Sequence, residues 1–106
     1  MKVAVLSDIH GNLPALEAVA ADIVAWAPDV TIVNGDVVNR GPSSLACWRF
    51  VQAQPDWHVV SGNHEMYVLL WADPDWAQAA DGPDALYSPS SWTYAQLGSA
   101  VDELAA

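Results

Sequence analysis

Apolar positions alternate between two periods through residues 1–70, and each change of period marks an element. Lys2 to Ser7 is a continuous, mostly apolar run of strand length, the pattern of a strand buried on both faces of a parallel sheet. Leu13, Leu16, Ala20, Ile23, Val24 and Ala27 then repeat at helical spacing. Asn12 is placed to cap that helix, and Pro14 falls in its first turn, where a missing N–H costs little. Pro28-Asp29 ends the helix, and Val30 to Val33 is a second strand. Pro42 opens a second helix with Leu45, Trp48, Val51 and Gln52 on its inner side. Gln54-Pro55 closes it, and Trp57 to Ser61 is a third strand. This order predicts an α/β fold, a βαβαβ unit of parallel strands with helices between them.

The periodicity weakens after Glu65. Met66 to Trp71 reads as a short helix. Ala72 to Pro89, broken by Pro74, Pro83 and Pro89 with Gly82 beside Pro83, reads as loop only in part. Pro-Asp recurs there and upstream at irregular intervals, which marks turns and not a repeat. Ser90 or Ser91 is placed to cap a last helix with Leu97, Ala100, Val101 and Leu104 inward. Gly98 weakens that helix by about 1 kcal/mol relative to Ala. The expected organisation is one partial domain over 1–106, a motif-bearing βαβαβ unit over 1–70 followed by a helical and irregular tail over 71–106.

With 53% hydrophobic residues and six Trp, the chain can bury a core. Its net charge is −10, and Lys2, Arg40 and Arg49 are its only basic side chains, so it offers no patch for nucleic acid or an anionic membrane. No apolar run approaches the ~20 residues that span a bilayer. A lone cysteine, Cys47, forms no intrachain disulfide and, with no signal-peptide pattern at the N-terminus, points to the cytoplasm.

Each strand runs into a polar signature: Ser7-Asp8-Ile9-His10-Gly11-Asn12, then Gly35-Asp36-Val37-Val38-Asn39-Arg40-Gly41, then Gly62-Asn63-His64-Glu65. They recur at nearly even intervals, close to the length of a βαβ unit. Parallel strands in one open sheet place such ends along one edge, where α/β proteins bind ligands. Asp8 and His10 form a carboxylate–imidazole pair suited to a first-row metal, or an ordinary turn before a helix. Asp36 has two oxygens that could bridge two ions, and Asn63 offers a neutral carbonyl oxygen, or each is an ordinary turn residue after a glycine. Arg40 can take phosphate oxygens in a bidentate grip or be an ordinary surface arginine, and His64 can donate a proton to a leaving oxygen. Glu65 at a helix start and His58 within a strand read as structural. Trp71, Trp76 and Trp92 flank the irregular region and could line a pocket. No Gly-x-Gly-x-x-Gly follows the first strand, which disfavours a dinucleotide-binding protein.

Taken in order, Asp-x-His, Gly-Asp and Gly-Asn-His-Glu resemble the first three blocks of the calcineurin-like metallophosphoesterase superfamily. Val37 to Pro42 further resembles the matching segment of bacterial serine/threonine-type phosphatases and symmetrical diadenosine tetraphosphatases. The resemblance implies the N-terminal half of an α/β sandwich. It implies hydrolysis of phosphate esters at two divalent ions, manganese first, with iron, zinc or magnesium as alternatives. Asp8, His10 and Asp36 would hold one ion, and Asp36 and Asn63 the other. Arg40 would contact phosphate and His64 would be the proton donor. Substrates would be phosphorylated small molecules, nucleotides or phosphoproteins. Asn39 stands where phosphoprotein phosphatases carry an Asp that orients the His matching His64.

The family's later blocks, a lone His and Gly-His-x-His, have no counterpart, because no His follows His64. Three parallel strands in sequential order also place both crossover helices on one face, leaving only the tail for the other. The expectation is therefore a truncated enzyme, weakly active or inactive as this chain, with the missing half or an oligomer covering the sheet. The alternative is a non-catalytic metal-binding remnant or an oligomerising half-domain.

Overall fold

The computed structural model describes residues 1–80 and 88–105. Strands β1 (Val3–Leu6), β2 (Val30–Asn34) and β3 (Trp57–Val60) form a parallel sheet in the order β1-β2-β3. Val5 pairs with Ile32 and Ile32 with His58, while Leu6 pairs with Val33 and Val33 with Val59. Helix α1 (Leu13–Trp26) joins β1 to β2, and α2 (Ser44–Gln52) joins β2 to β3. After β3 come α3 (Asn63–Leu69), a 3₁₀ turn (Leu70–Ala72), α4 (Pro74–Ala80), α5 (Ser88–Leu97) and a 3₁₀ segment (Gly98–Ala105).

The N-terminal cap of α1 forms as its sequence requires: the Asn12 side chain accepts the Ala15 N–H at 3.2 Å. Ala27 closes the helix in the left-handed region, its N–H on the Ile23 carbonyl, and Pro28 prevents continuation. Helix α2 starts at Ser44, just after Pro42. Its inner residues Trp48 and Val51 are buried with Cys47, whereas Gln52 is exposed.

Five expectations need correction. Pro74 does not break the chain but starts α4, because the fixed φ of proline suits a first helical position. Asp73 just before it accepts the Asp75 N–H, as an N-cap residue does. The stretch 81–87 lies outside the described residues. The last helix starts at Ser88, so Ser90 lies in its first turn and is buried rather than capping at the surface. Leu97, Ala100, Val101 and Leu104 do point inward, but not on one α-helix. Gly98, at φ 55, turns the chain into a 3₁₀ segment, where Val101 and Leu104 stack three residues apart.

Val24, read as an inner residue of α1, is 79% exposed; Leu16 and Ile23 are the α1 residues in the core. The strands, finally, are buried on one face only. Ala4, Leu6, Val33, Trp57 and Val59 share a core with α1, α2 and the tail residues Leu97 and Leu104. The tail therefore joins the helices on their own face, pinned by the Trp48 indole N–H on Glu103 at 2.7 Å. The opposite face presents Val3, Val5, Ile32, His58 and Val60, with Val5 62% and Val60 51% exposed. Contiguous apolar exposure on this scale marks an association surface. The isolated chain should self-associate, and Val5→Lys with Val60→Lys should shift it toward monomer in sedimentation velocity. A wild-type chain that sediments as a monomer at high concentration would contradict this.

Candidate metal centre

The first two strand-end loops meet at the C-terminal edge of the sheet through backbone hydrogen bonds, and the third joins them through the Asp36 and Glu65 side chains. His10 N–H donates to the Asp36 carbonyl at 2.9 Å, Gly11 N–H to the Val37 carbonyl at 2.9 Å, and Ser43 N–H to the Gly11 carbonyl at 3.0 Å. Close approach depends on Gly41, where a Cβ would overlap the His10 carbonyl oxygen. Asp8, His10, Asp36, Asn39 and Arg40 all have positive φ, between 48° and 77°. Asp, Asn and His tolerate this region better than most residues, and such backbone strain concentrates at functional sites.

These loops bring His10, Asp36 and His64 together. One ligand-type atom from each lies within 4.8 Å of the others, all on half-buried side chains. The His10 and His64 rings meet edge-on, with centroids 4.5 Å apart. Asp8 is more exposed, its Oδ1 3.3 Å from His10 Nε2. The Ser7 hydroxyl, donating to Asp8 Oδ2 at 2.6 Å, holds the Asp8 carboxyl below the usual range, with His10 adding to the effect. Asp36 Oδ1 accepts the His64 N–H at 2.9 Å. Asn63 is exposed, its amide nitrogen 3.5 Å from the Tyr67 hydroxyl, which leaves its carbonyl oxygen for other partners. The Arg40 guanidinium is exposed and pairs with no described residue.

The donor set fits a divalent first-row cation: carboxylates and imidazoles converge, and His10 Nδ1 is buried with no hydrogen-bond partner. His64 is held below its ordinary pKa by burial first and by His10 next, with Asp36 acting in the opposite direction.

Two supports were only partly visible beforehand. Glu65, 1% exposed, does more than favour a helix start. Its Oε1 accepts the N–H groups of Gly62 and Asp36, at 2.9 and 2.6 Å, and its Oε2 accepts that of Val38 at 3.2 Å, so one carboxylate ties the second loop to the third. The sequence showed Glu65 only as a carboxylate at a helix start and signalled none of these three bonds. Asn39 is buried, with Nδ2 3.1 Å from His64 Nδ1, and touches Ser90 and Thr93 of α5 at 3.0 and 3.2 Å. No sequence spacing pointed to the pairing of α5 with this loop.

A profile of the Calcineurin-like phosphoesterase family matches residues 1–104. The chain is 42% identical over 77 residues to the symmetrical bis(5′-nucleosyl)-tetraphosphatase of Chromohalobacter salexigens, covering 70% of this chain and 27% of that protein. It is 38% identical over 72 residues to the protein of that name from Pectobacterium atrosepticum, covering 65% and 25%. Among solved structures, a metallophosphoesterase from Sphaerobacter thermophilus superposes with a TM-score of 0.74 and 32% identity, covering 99% of this chain and 40% of that one. The chain thus spans about a quarter of the length of the curated relatives it matches. With its parallel βαβαβ unit and its strand-end Asp, His and Asn residues, the chain belongs to the calcineurin-like phosphoesterase family.

Proposed function

We propose that this chain contributes the N-terminal half of a metal-dependent phosphoesterase site acting on a nucleotide phosphate ester or anhydride. The observation that supports this best is the convergence of His10, Asp36 and His64 within 4.8 Å at the sheet edge. The nucleotide class rests on what the relatives' names say of those proteins. In this reading Asp8, His10 and Asp36 hold one divalent ion, and Asp36 with Asn63 a second, manganese being the first choice. When bound, the ions polarise phosphoryl oxygens and lower the pKa of the attacking water. Arg40, unpaired among the described residues, grips the substrate's phosphate oxygens. His64 gives its proton to the leaving oxygen. The buried Cys47 thiol, pushed up to about 11 chiefly by desolvation, is inert, and we assign the chain to the cytoplasm.

Asp8, His10, Asp36 and Asn63 fill only part of two first-row coordination spheres. Ion binding by this chain should therefore be weak and sub-stoichiometric, and turnover small. A second reading, a half-domain that associates without turnover, draws on the bare sheet face. Calorimetry with manganese, followed by hydrolysis of an aryl phosphate and of a symmetrical dinucleoside tetraphosphate, tests both. Joining a segment with further histidine ligands should restore turnover, and His64→Ala in that longer protein should lower it strongly. Efficient turnover by the 106-residue chain, abolished in Asp36→Asn, would mean that the site is completed within this chain or across a dimer. No metal binding in any form would remove the proposal.

A further inference from the structure

We infer that Tyr67 and Trp71 form an aromatic strip along α3 on which the base of a nucleotide stacks while its phosphates lie at the strand-end loops. This site extends the nucleotide reading proposed above, on which it rests.

Helix α3 begins at the candidate metal centre, with Asn63 and His64 as its first two residues, and runs away from it. Residues four apart on a helix share a face. Asn63, Tyr67 and, in the 3₁₀ turn that continues the helix, Trp71 therefore fall in one row. Helical side chains lean toward the N-terminus, which tilts the Tyr67 ring toward the metal centre. The contacts agree. The Tyr67 ring meets the His64 ring edge-on with centroids 5.3 Å apart, and its hydroxyl lies 3.5 Å from the Asn63 amide nitrogen. Trp71 is held in turn by Trp76 of α4, with ring centroids 4.9 Å apart and planes at 90°. Among the described residues, the core takes Val68 and Leu69 from α3 and neither Tyr67 nor Trp71. Tyr67, Trp71 and Trp76 are each half-buried, so ring surface stays open to solvent beside the site.

A chain of net charge −10 does not draw an anion by its overall field. Arg40 is the one Lys or Arg in the strand-end loops: Lys2 engages the Trp26 carbonyl and ring, and Arg49 lies on α2. Ions and Arg40 can hold phosphate, so affinity for the rest of a substrate has to come from contacts that need no charge. Stacking on an aromatic ring is such a contact, and every base has a π face to offer. The reach fits as well. At about 1.5 Å of rise per residue, Tyr67 lies roughly 5 Å and Trp71 roughly 10 Å along the helix axis from His64. A ribose, with one or more phosphates in an anhydride, separates a base from the reacting phosphorus, a span of the same order. Tyr67, the nearer ring, is the one that stacks, and Trp71, braced by Trp76, extends the strip.

The test compares ADP with methyl diphosphate, which has the same charged group and no nucleoside, on the 106-residue chain with magnesium, a diamagnetic ion. Titrations followed by NMR give both dissociation constants and the shift of the Tyr67 ring protons. ADP should bind about 10-fold more tightly than methyl diphosphate, the size of one stacked base, and should move those protons upfield. Tyr67→Leu, which keeps an apolar side chain and removes the ring, should bring the ratio of the two constants close to one. Tyr67→Phe should keep the ratio, because stacking needs the ring and not the hydroxyl. Should Tyr67→Leu fail to fold, the wild-type ratio and ring shift decide alone. Equal affinities in the wild type, an unmoved Tyr67 ring, or a preference for ADP that survives Tyr67→Leu overturns the inference and leaves the metal reading standing. A Tyr67 ring shifted by ADP in a chain that binds neither magnesium nor methyl diphosphate would keep the strip and remove the proposed function. No binding of either probe would remove both.

Discussion

Glu65→Ala should lower the stability of the chain by on the order of 3–5 kcal/mol, more than any other single side-chain truncation at the sheet edge. The buried carboxylate accepts three backbone N–H groups, from Gly62, Asp36 and Val38. Truncation strands all three, and the Val38 N–H sits where water does not reach. Each unsatisfied buried donor costs about 1–3 kcal/mol. The loss also removes the acidic residue from the first turn of α3, where it complements the helix dipole. Small domains have only about 5–15 kcal/mol in hand, so the variant should be near its limit at room temperature. Urea denaturation should show a large fall in midpoint with little change in slope. Glu65→Gln, which keeps the shape but turns one N–H donor toward another, should fall between the two. A Glu65→Ala variant within 1 kcal/mol of wild type would mean that the two loops are held together by something else.

The three strands and the helices between them were legible in the sequence because their apolar periods are local and their boundaries are marked by Asn12, Pro28 and Pro55. Sidedness was not. Lys2 to Ser7 reads the same whether one or both faces of its strand are covered, and the cover comes from packing over long separations. That is why Val5 stands exposed while Leu6, its neighbour, is buried. Pro74 misled for a related reason, because proline both breaks helices and starts them, and Asp73 before it decides which.

At the site, Asp8, His10, Asp36, Asn63 and His64 could be singled out because each sits at a strand end, and a parallel sheet gathers strand ends. The structure brings His10, Asp36 and His64 together, with Asp8 beside His10. What the sequence left dark was the second layer. The Glu65 bonds to Asp36 and Val38, and the α5 contacts to Asn39, join residues 27 to 54 positions apart. No short spacing encodes such bonds.

Gly41→Ala should weaken divalent-ion binding about 10- to 100-fold, the range seen when supports behind metal ligands are lost. It alters no ligand. A Cβ at Gly41 would overlap the His10 carbonyl oxygen and lie 2.9 Å from the Gly11 carbonyl carbon. Both obstacles are backbone, so no side chain can swing away, and the first and second loops must separate. His10 moves with its own carbonyl, while Asp36 stays tied to Glu65. The separation therefore acts on the distance that defines the site, and a displacement of ~1 Å there is already costly to positioned groups. The His10 N–H bond to the Asp36 carbonyl, 2.9 Å in the native chain, should lengthen or break, and amide exchange at His10 should rise. Calorimetry with manganese, paired with hydrogen exchange at His10 and Gly11, distinguishes this from general unfolding. Amides of β2 should stay protected while those two lose protection. Unchanged ion binding in a folded Gly41→Ala chain would show that His10 does not share an ion with Asp36.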